Sequence, residues 1–220
     1  GASGSGKTTL VKLLLGYFAP TSGNIFLGDT PLQDYDMTSW RHSCGVVLQD
    51  SHVFSESLAR NIAVEDKHID RTRLRTAARQ ANLEEFIEKL PLKYQTMVGA
   101  EGVGLSRGQE QRIFIARALY KDPSFVFLDE ATNSLDANNE RIITGNLLDF
   151  CKGRTVLIVA HRLSTIRHAD KIVVLHKGRI VEEGTHDELC ARHGHYYELI
   201  NNQLIAMGLS LIHISEPTRL

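Results

Sequence analysis

The sequence predicts an α/β fold around a parallel sheet, on three observations. Two uninterrupted apolar runs, Cys44–Leu48 and Phe125–Leu128, stop abruptly at polar residues. Strands buried on both faces leave the carboxyl edge of a parallel sheet in this way. Past Glu130, helical and strand patterns alternate, as a doubly wound core requires. A glycine-rich loop, GASGSGKTT, leads straight into a helical pattern.

Each element follows from its local pattern. KTTLVKLLLGYF has the helix formers and apolar spacing of a buried helix, stopped by Pro20 and the turn TSG. NIFLG is a short strand, and CGVVLQD a buried strand with Gln49 at its exit. From Ser57 to about Leu90, SLARNIA, DRTRLRTAARQANL and EEFIEKL give three helices. Pro91 ends that stretch, the glycine-punctuated VGAEGVGLSRGQ forms a loop, and GQEQRIFIARALYK is amphipathic. SFVFLDEA is a buried strand that delivers Asp129 and Glu130 at its carboxyl end. Then come a helix over NNERIITGNLLDFC, strand TVLIVAH, a short helix, strands KIVVLH and RIVEEG, and a helical stretch HDELCARHGHYYELINNQ. One domain over 1–205 is expected, with a helical subdomain inserted over about 52–118.

Composition narrows the function classes. The 220 residues carry a net charge of −1 with acids and bases interleaved, so no basic stripe marks a nucleic-acid or anionic-lipid surface, and no nucleic-acid partner is expected. Cys44, Cys151 and Cys190 are far apart and lack metal-type spacing, which suits free thiols in a reducing compartment. No apolar run approaches the roughly 18–20 residues that cross a bilayer.

The opening loop carries the first chemistry. Gly1-x-x-x-x-Gly6-Lys7-Thr8 fits a phosphate-binding loop: its glycines let backbone N–H groups surround phosphates, Lys7 reaches the β and γ phosphates, and the Thr8 hydroxyl ligates Mg²⁺. The plainer alternative is a Gly/Ser turn capping a helix.

GASGSGKTT, LQD, LSRGQEQR, FVFLDEA, SLD and VAHR fall in the order and spacing of the nucleotide-binding domain of ATP-binding cassette (ABC) transporters, which Gly1 to about Gln203 resembles. The resemblance implies a P-loop NTPase fold: a RecA-like parallel sheet core with an inserted helical subdomain, two copies pairing head to tail around two ATP molecules with Mg²⁺. It implies nucleotide binding by Gly1, Ser3, Gly4, Ser5, Gly6, Lys7, Thr8 and Thr9, and by Asp129 as the acid that holds Mg²⁺ through water. Glu130 becomes the base that orients or activates the attacking water, a role suited to an anion at a strand end beside a metal. Gln49 touches Mg²⁺ and that water while sensing the membrane domain. His161 faces the γ-phosphate, and Asp136 crosses the dimer interface in the D-loop. The signature segment Ser106, Arg107, Gly108 and Gln109 meets the γ-phosphate bound to the opposite subunit through the Ser106 hydroxyl and the Gly108 N–H. For each there is a blander reading: a polar strand-end residue for Gln49, a solvated acidic pair for Asp129 and Glu130, an ordinary histidine for His161, and a helix N-terminal acid for Asp136. Arg107 departs from the family's usual glycine there. It adds a cation near phosphate and bulk where backbones approach, or it is an indifferent surface residue.

Two segments point to exporters. VVLQDSHVFSESLARNIA resembles the pattern after the exporter Q-loop, and TMVGAEGVGLS the loop that touches the membrane domains' coupling helices. WRHSCGVVLQDSHVFSESLARNIA looks closest to bacterial peptide and bacteriocin exporters with an N-terminal peptidase domain. The expected function is ATP hydrolysis powering export, of a peptide on that closer resemblance. The motor of a lipid or drug exporter, a soluble ABC ATPase and a non-catalytic nucleotide-gated module are the alternatives. The expected partners are a second nucleotide-binding domain and transmembrane domains, at the cytoplasmic face of the cell membrane. The family places a strand before Gly1, so an N-terminally truncated piece is expected. LSLIHISEPTRL, within 206–220, resembles a translated sequencing adaptor, with a genuine flexible tail as the alternative.

Overall fold

The computed structural model describes residues 5–159 and 166–206. Its Cα packing divides the chain into two compact units, Thr8–Val159 and a second that joins Gly1–Lys7 to Ala160–Leu220.

The larger unit is built on three parallel strands, β3 (Cys44–Val47), β4 (Phe125–Asp129) and β5 (Thr155–Val159), with β4 in the middle. Val126 pairs with Gly45 on one side and Val156 on the other. Side chains alternate across a strand, so a run apolar at every position must be covered twice. Val47, Val126 and Leu128 face a layer with Leu58, Ile62, Ile113, Leu119, Ile143 and Leu147. Cys44, Phe127 and Val159 face Val11, Leu15 and Trp40 on the other side. The first layer is supplied by α3 (Leu58–Ile62), α4 (Arg71–Gln80), α5 (Glu84–Glu88), α6 (Arg107–Lys121) and α7 (Ala137–Cys151), the second by α1 (Lys7–Leu14) and α2 (Met37–Ser43). The doubly wound α/β expectation is met. A small antiparallel pair, β1 (Phe26–Leu27) and β2 (Thr30–Pro31), lies between α1 and α2 in sequence.

The helix expected to run to Phe18 stops at Leu14. Gly16, at φ 68°, turns the chain, its N–H donating to Leu13 O while the Tyr17 N–H donates to Lys12 O. This double closure is a Schellman ending, which needs the left-handed conformation glycine adopts without penalty. Helix α2, which the sequence pattern did not suggest, then caps α1. Trp40 Nε1 donates to Leu14 O at 3.0 Å, and Arg41 donates to Leu15 O and Gly16 O. Asp36 starts α2 by accepting the Ser39 N–H at 2.8 Å.

Gly45 is required by packing rather than by its torsions. A Cβ there would sit 2.5 Å from Pro123 Cγ, at the point where the chain enters β4. Gly45→Ala is therefore expected to lower the urea-unfolding free energy by about 1–3 kcal/mol with the slope unchanged. An unchanged midpoint would show that the proline loop yields freely.

In the smaller unit, β6 (Ile172–His176) and β7 (Arg179–Gly184) form an antiparallel hairpin. Ile172, Val174, Leu189, Tyr196 and Ile200 make its core. The helical stretch expected as one piece over 186–203 is two helices, α8 (His186–Ala191) and α9 (His195–Ala206). His193 breaks it at φ 51°, and Gly194 leaves space for Glu182, whose carboxylate accepts the Tyr196 N–H at 2.7 Å. An acid at a helix N-terminus is favoured there by the unsatisfied amides. Among the described residues no helix is long and apolar enough to cross a membrane.

Candidate functional site

Strand β4 carries its apolar run into the sheet and ends on Asp129, which is 1% exposed. Its Oδ2 accepts the Thr8 hydroxyl at 2.7 Å, joining residues 121 positions apart. Its Oδ1 is buried with no hydrogen-bond partner among the described residues. A buried carboxylate oxygen left unpaired costs free energy unless something outside the protein chain completes it.

Glu130 follows in the left-handed region at φ 54°, a conformation that costs a non-glycine residue roughly 1–2 kcal/mol. Its N–H donates to Val159 O at 2.9 Å, extending the ladder one residue past β4. Its carboxylate accepts from Asn133 Nδ2. The neighbouring strand β3 leads to Gln49, exposed in the turn after Leu48. Because Val47 pairs with Leu128, Gln49 and the Asp129–Glu130 pair leave adjacent parallel strands at the same carboxyl edge. Lys12 of α1 reaches over to Asp50 at 2.6 Å, holding that turn beside the helix that carries Thr8. Thr9 is exposed on α1.

The segment from Ser106 to Gln109 starts α6 with a capping box. The Ser106 hydroxyl accepts the Gln109 N–H at 3.3 Å, and the Gln109 side chain accepts the Ser106 N–H at 2.8 Å. Arg107 is the first helical residue and is exposed. A Cβ on Gly108 would lie 3.2 Å from Ser134 O, so the first turn of α6 rests on the loop after Glu130. Asp136 caps α7, accepting the N–H groups of Asn138 and Asn139. The Asn139 side-chain amide, then the backbone amides, hold its carboxyl below the usual range.

Sequence reasoning missed the polar side chains that tie these pieces together. Gln111 donates from Nε2 to Glu130 O at 2.9 Å and accepts the Ser134 N–H on Oε1 at 2.8 Å. Arg112 donates to Gly108 O at 3.2 Å and to Asn82 O at 2.6 Å, while Asn82 Nδ2 donates to Asn139 Oδ1. The available signal was the run Gln-x-Gln-Arg in the first turns of a capped helix, which periodicity alone reads as solvent-facing.

The loops over 52–57 and 96–103 form a second feature. Val98 N–H donates to Glu56 O at 3.0 Å and Leu58 N–H to Thr96 O at 3.0 Å. Gly99 passes so close to Phe54 O that an added Cβ would be 2.9 Å away. Buried Asn61 bonds Phe54 through both its oxygen and its nitrogen, and Arg117 donates to Asn61 O and His52 O. Burial pushes the Arg117 guanidinium down to about 10. Phe54, Met97 and Val103 remain exposed on these loops.

In the smaller unit, Lys7 Nζ donates to Ser5 Oγ at 3.1 Å, and Gly6 sits at φ 92°. Gly1, Ser3, Gly4 and His161 lie outside the described residues.

A family model described as ABC transporter matches residues 1–133. The chain is 47% identical over 199 residues to an ATP-dependent lipid A-core flippase of Chromohalobacter salexigens, covering 90% of this chain and 34% of that protein. It is 46% identical over 203 residues to a Bacillus subtilis protein whose name describes a multidrug export ATP-binding/permease protein, covering 92% of this chain and 35% of that one. A solved bacterial Atm1-family ABC exporter with ATP bound matches with a TM-score of 0.88 at 38% identity, over 92% of this chain and 36% of that chain. The chain thus spans about a third of the length of these relatives. Their names concern a lipid A-core flippase and multidrug export, so the narrower resemblance to peptidase-containing peptide exporters has no support from them. With its P-loop fold around a parallel sheet and a family match over more than half its length, the chain belongs to the ABC transporter family.

Proposed function

We propose that the chain binds and hydrolyses ATP as the motor of an exporter that moves a lipid or another amphiphile, rather than a peptide, across the cell membrane. The observation that carries the ATP-hydrolysing part of this reading is the Thr8 hydroxyl held 2.7 Å from Asp129, whose second carboxylate oxygen is buried and unpartnered among the described residues, while the cargo class is supported by the names of the lipid A-core flippase and multidrug export relatives. That donor set fits magnesium: Thr8 and Gln49 would hold the ion directly, and Asp129 through water. An ion held by these residues would supply positive charge against the terminal phosphates. Lys7 and the loop residues Gly1, Ser3, Gly4, Ser5, Gly6 and Thr9 cradle the phosphates. Glu130 takes the proton of the water whose oxygen attacks the γ-phosphorus as the bond to ADP breaks. His161 steadies the γ-phosphate.

Ser106 and Gly108, at the start of a fifteen-residue helix, offer a hydroxyl and an amide to nucleotide on a second copy. Asp136, in the D-loop, would cross the interface between the two copies. The exposed Phe54, Met97 and Val103, on loops cross-linked by backbone hydrogen bonds, give the transmembrane domains an apolar surface at the cytoplasmic face.

The test of cargo class is ATP turnover by the complete transporter in liposomes. A phosphorylated glycolipid of the lipid A type is expected to stimulate it severalfold, and extended peptides to leave it unchanged. Stimulation by peptides alone would overturn the amphiphile reading.

A further inference from the structure

Glu130 projects from a backbone that its own sequence does not favour, and the restoring contacts come from another element. Its left-handed conformation, φ 54°, is shared by few non-glycine residues. A turn this short has two ways to relax: the Glu130 carbonyl can swing away, or the Ser134 amide can. One side chain blocks both, because the Gln111 amide donates to Glu130 O at 2.9 Å and accepts from Ser134 N–H at 2.8 Å. The loop's own bond, Asn133 N–H to Glu130 O, is longer at 3.2 Å. Gln111 is carried on α6, whose first turn presses Gly108 against Ser134 O. The next residue, Arg112, holds Asn82 O and lies 3.5 Å from Asn139 Oδ1, beyond the same loop.

We propose that Gln111 is a positioning residue for Glu130: it fixes the turn over 130–134 and with it the direction of the carboxylate, without touching nucleotide. The proposal rests on Glu130 being the acceptor of the water's proton. It has a consequence for assembly, since the same helix begins with Ser106 and Gly108. A shift of that first turn on engaging nucleotide of a second copy would move the tether and re-aim Glu130 of its own chain.

The test uses Gln111→Ala and Gln111→Glu, with Glu130→Gln in parallel, in the complete transporter reconstituted in liposomes. Turnover and KM for MgATP are measured beside the affinity for a fluorescent ATP analogue. Amide exchange of the 130–135 segment is followed by mass spectrometry. Gln111→Ala is expected to lower kcat by about tenfold or more while KM and analogue affinity stay within about twofold. Exchange in the segment is expected to quicken about tenfold as the Ser134 bond is lost. Gln111→Glu keeps an acceptor for Ser134 but offers no donor to the Glu130 carbonyl, so it is expected to retain slow exchange and still lose turnover. A merely structural residue would not separate these readouts. Wild-type turnover in Gln111→Ala, or turnover and affinity falling in step in both variants, overturns the proposal. Unchanged exchange in Gln111→Ala overturns it too, because the tether is then absent. If Glu130→Gln itself keeps full turnover, the role given to Glu130 fails instead.

Discussion

Glu130→Gln is expected to cut ATP turnover by the complete transporter at least about a hundredfold while leaving ATP affinity within about twofold. The substitution is nearly isosteric, and its amide oxygen can still accept from Asn133 Nδ2. The backbone bonds that hold the turn, from Glu130 N–H to Val159 O and from Gln111 to Glu130 O, involve no part of the changed side chain. What disappears is a carboxylate able to take a proton when water attacks phosphorus. Folding stability should move by less than about 0.5 kcal/mol, since the side chain is only half-buried. Bound triphosphate should therefore accumulate uncleaved, measurable as ATP retained after rapid filtration. Turnover equal to that of the unaltered protein would remove Glu130 from the chemistry and leave a module gated by binding alone.

Much of this arrangement was legible because strong local signals coincide. Phe125–Leu128 could only be a doubly covered strand, and a strand of that kind has one place to put an acidic pair. Helix α6 announced itself by the amphipathic run GQEQRIFIARALYK, and the structure adds the serine cap and capping box that start it. Failures occurred where a single torsion overrides a longer pattern. Leu15 to Phe18 are largely apolar and invite a helix, yet Gly16 turns left-handed and α1 ends two residues earlier. His193 does the same between α8 and α9. Helix α2, seven residues long, is too short for periodicity to register and is secured by what Trp40 and Arg41 do for α1. Gln111 escaped for a different reason. Its partners, Glu130 O and Ser134 N, are backbone atoms about twenty residues away, and no residue type records a long-range bond to a carbonyl.

Asp129→Asn separates fold from function, because its expected effect on the unliganded chain is small and its effect on magnesium-dependent binding is large. In the protein alone, Asp129 is a 1% exposed carboxylate that accepts the Thr8 hydroxyl on one oxygen, with Oδ1 unsatisfied among the described residues. The change removes a buried charge but puts an amide N–H without an acceptor where Oδ1 sits, so unfolding free energy measured without nucleotide or metal should move by no more than about 1 kcal/mol. The asparagine oxygen can still accept from Thr8, which preserves the local packing. With MgATP the lost charge matters more. A metal and its bound waters gain far more from a full negative charge than from an amide, so affinity measured with Mg²⁺ should fall about tenfold or more. In excess chelator, where on the proposed function the loop and Lys7 alone would hold the phosphates, the variant and the unaltered protein should bind ATP within about twofold of each other. An equal loss with and without magnesium would place Asp129 in the scaffold rather than at the metal. So would a marked drop in the stability of the unliganded chain, since a residue kept for its fold cannot be one whose removal the fold tolerates.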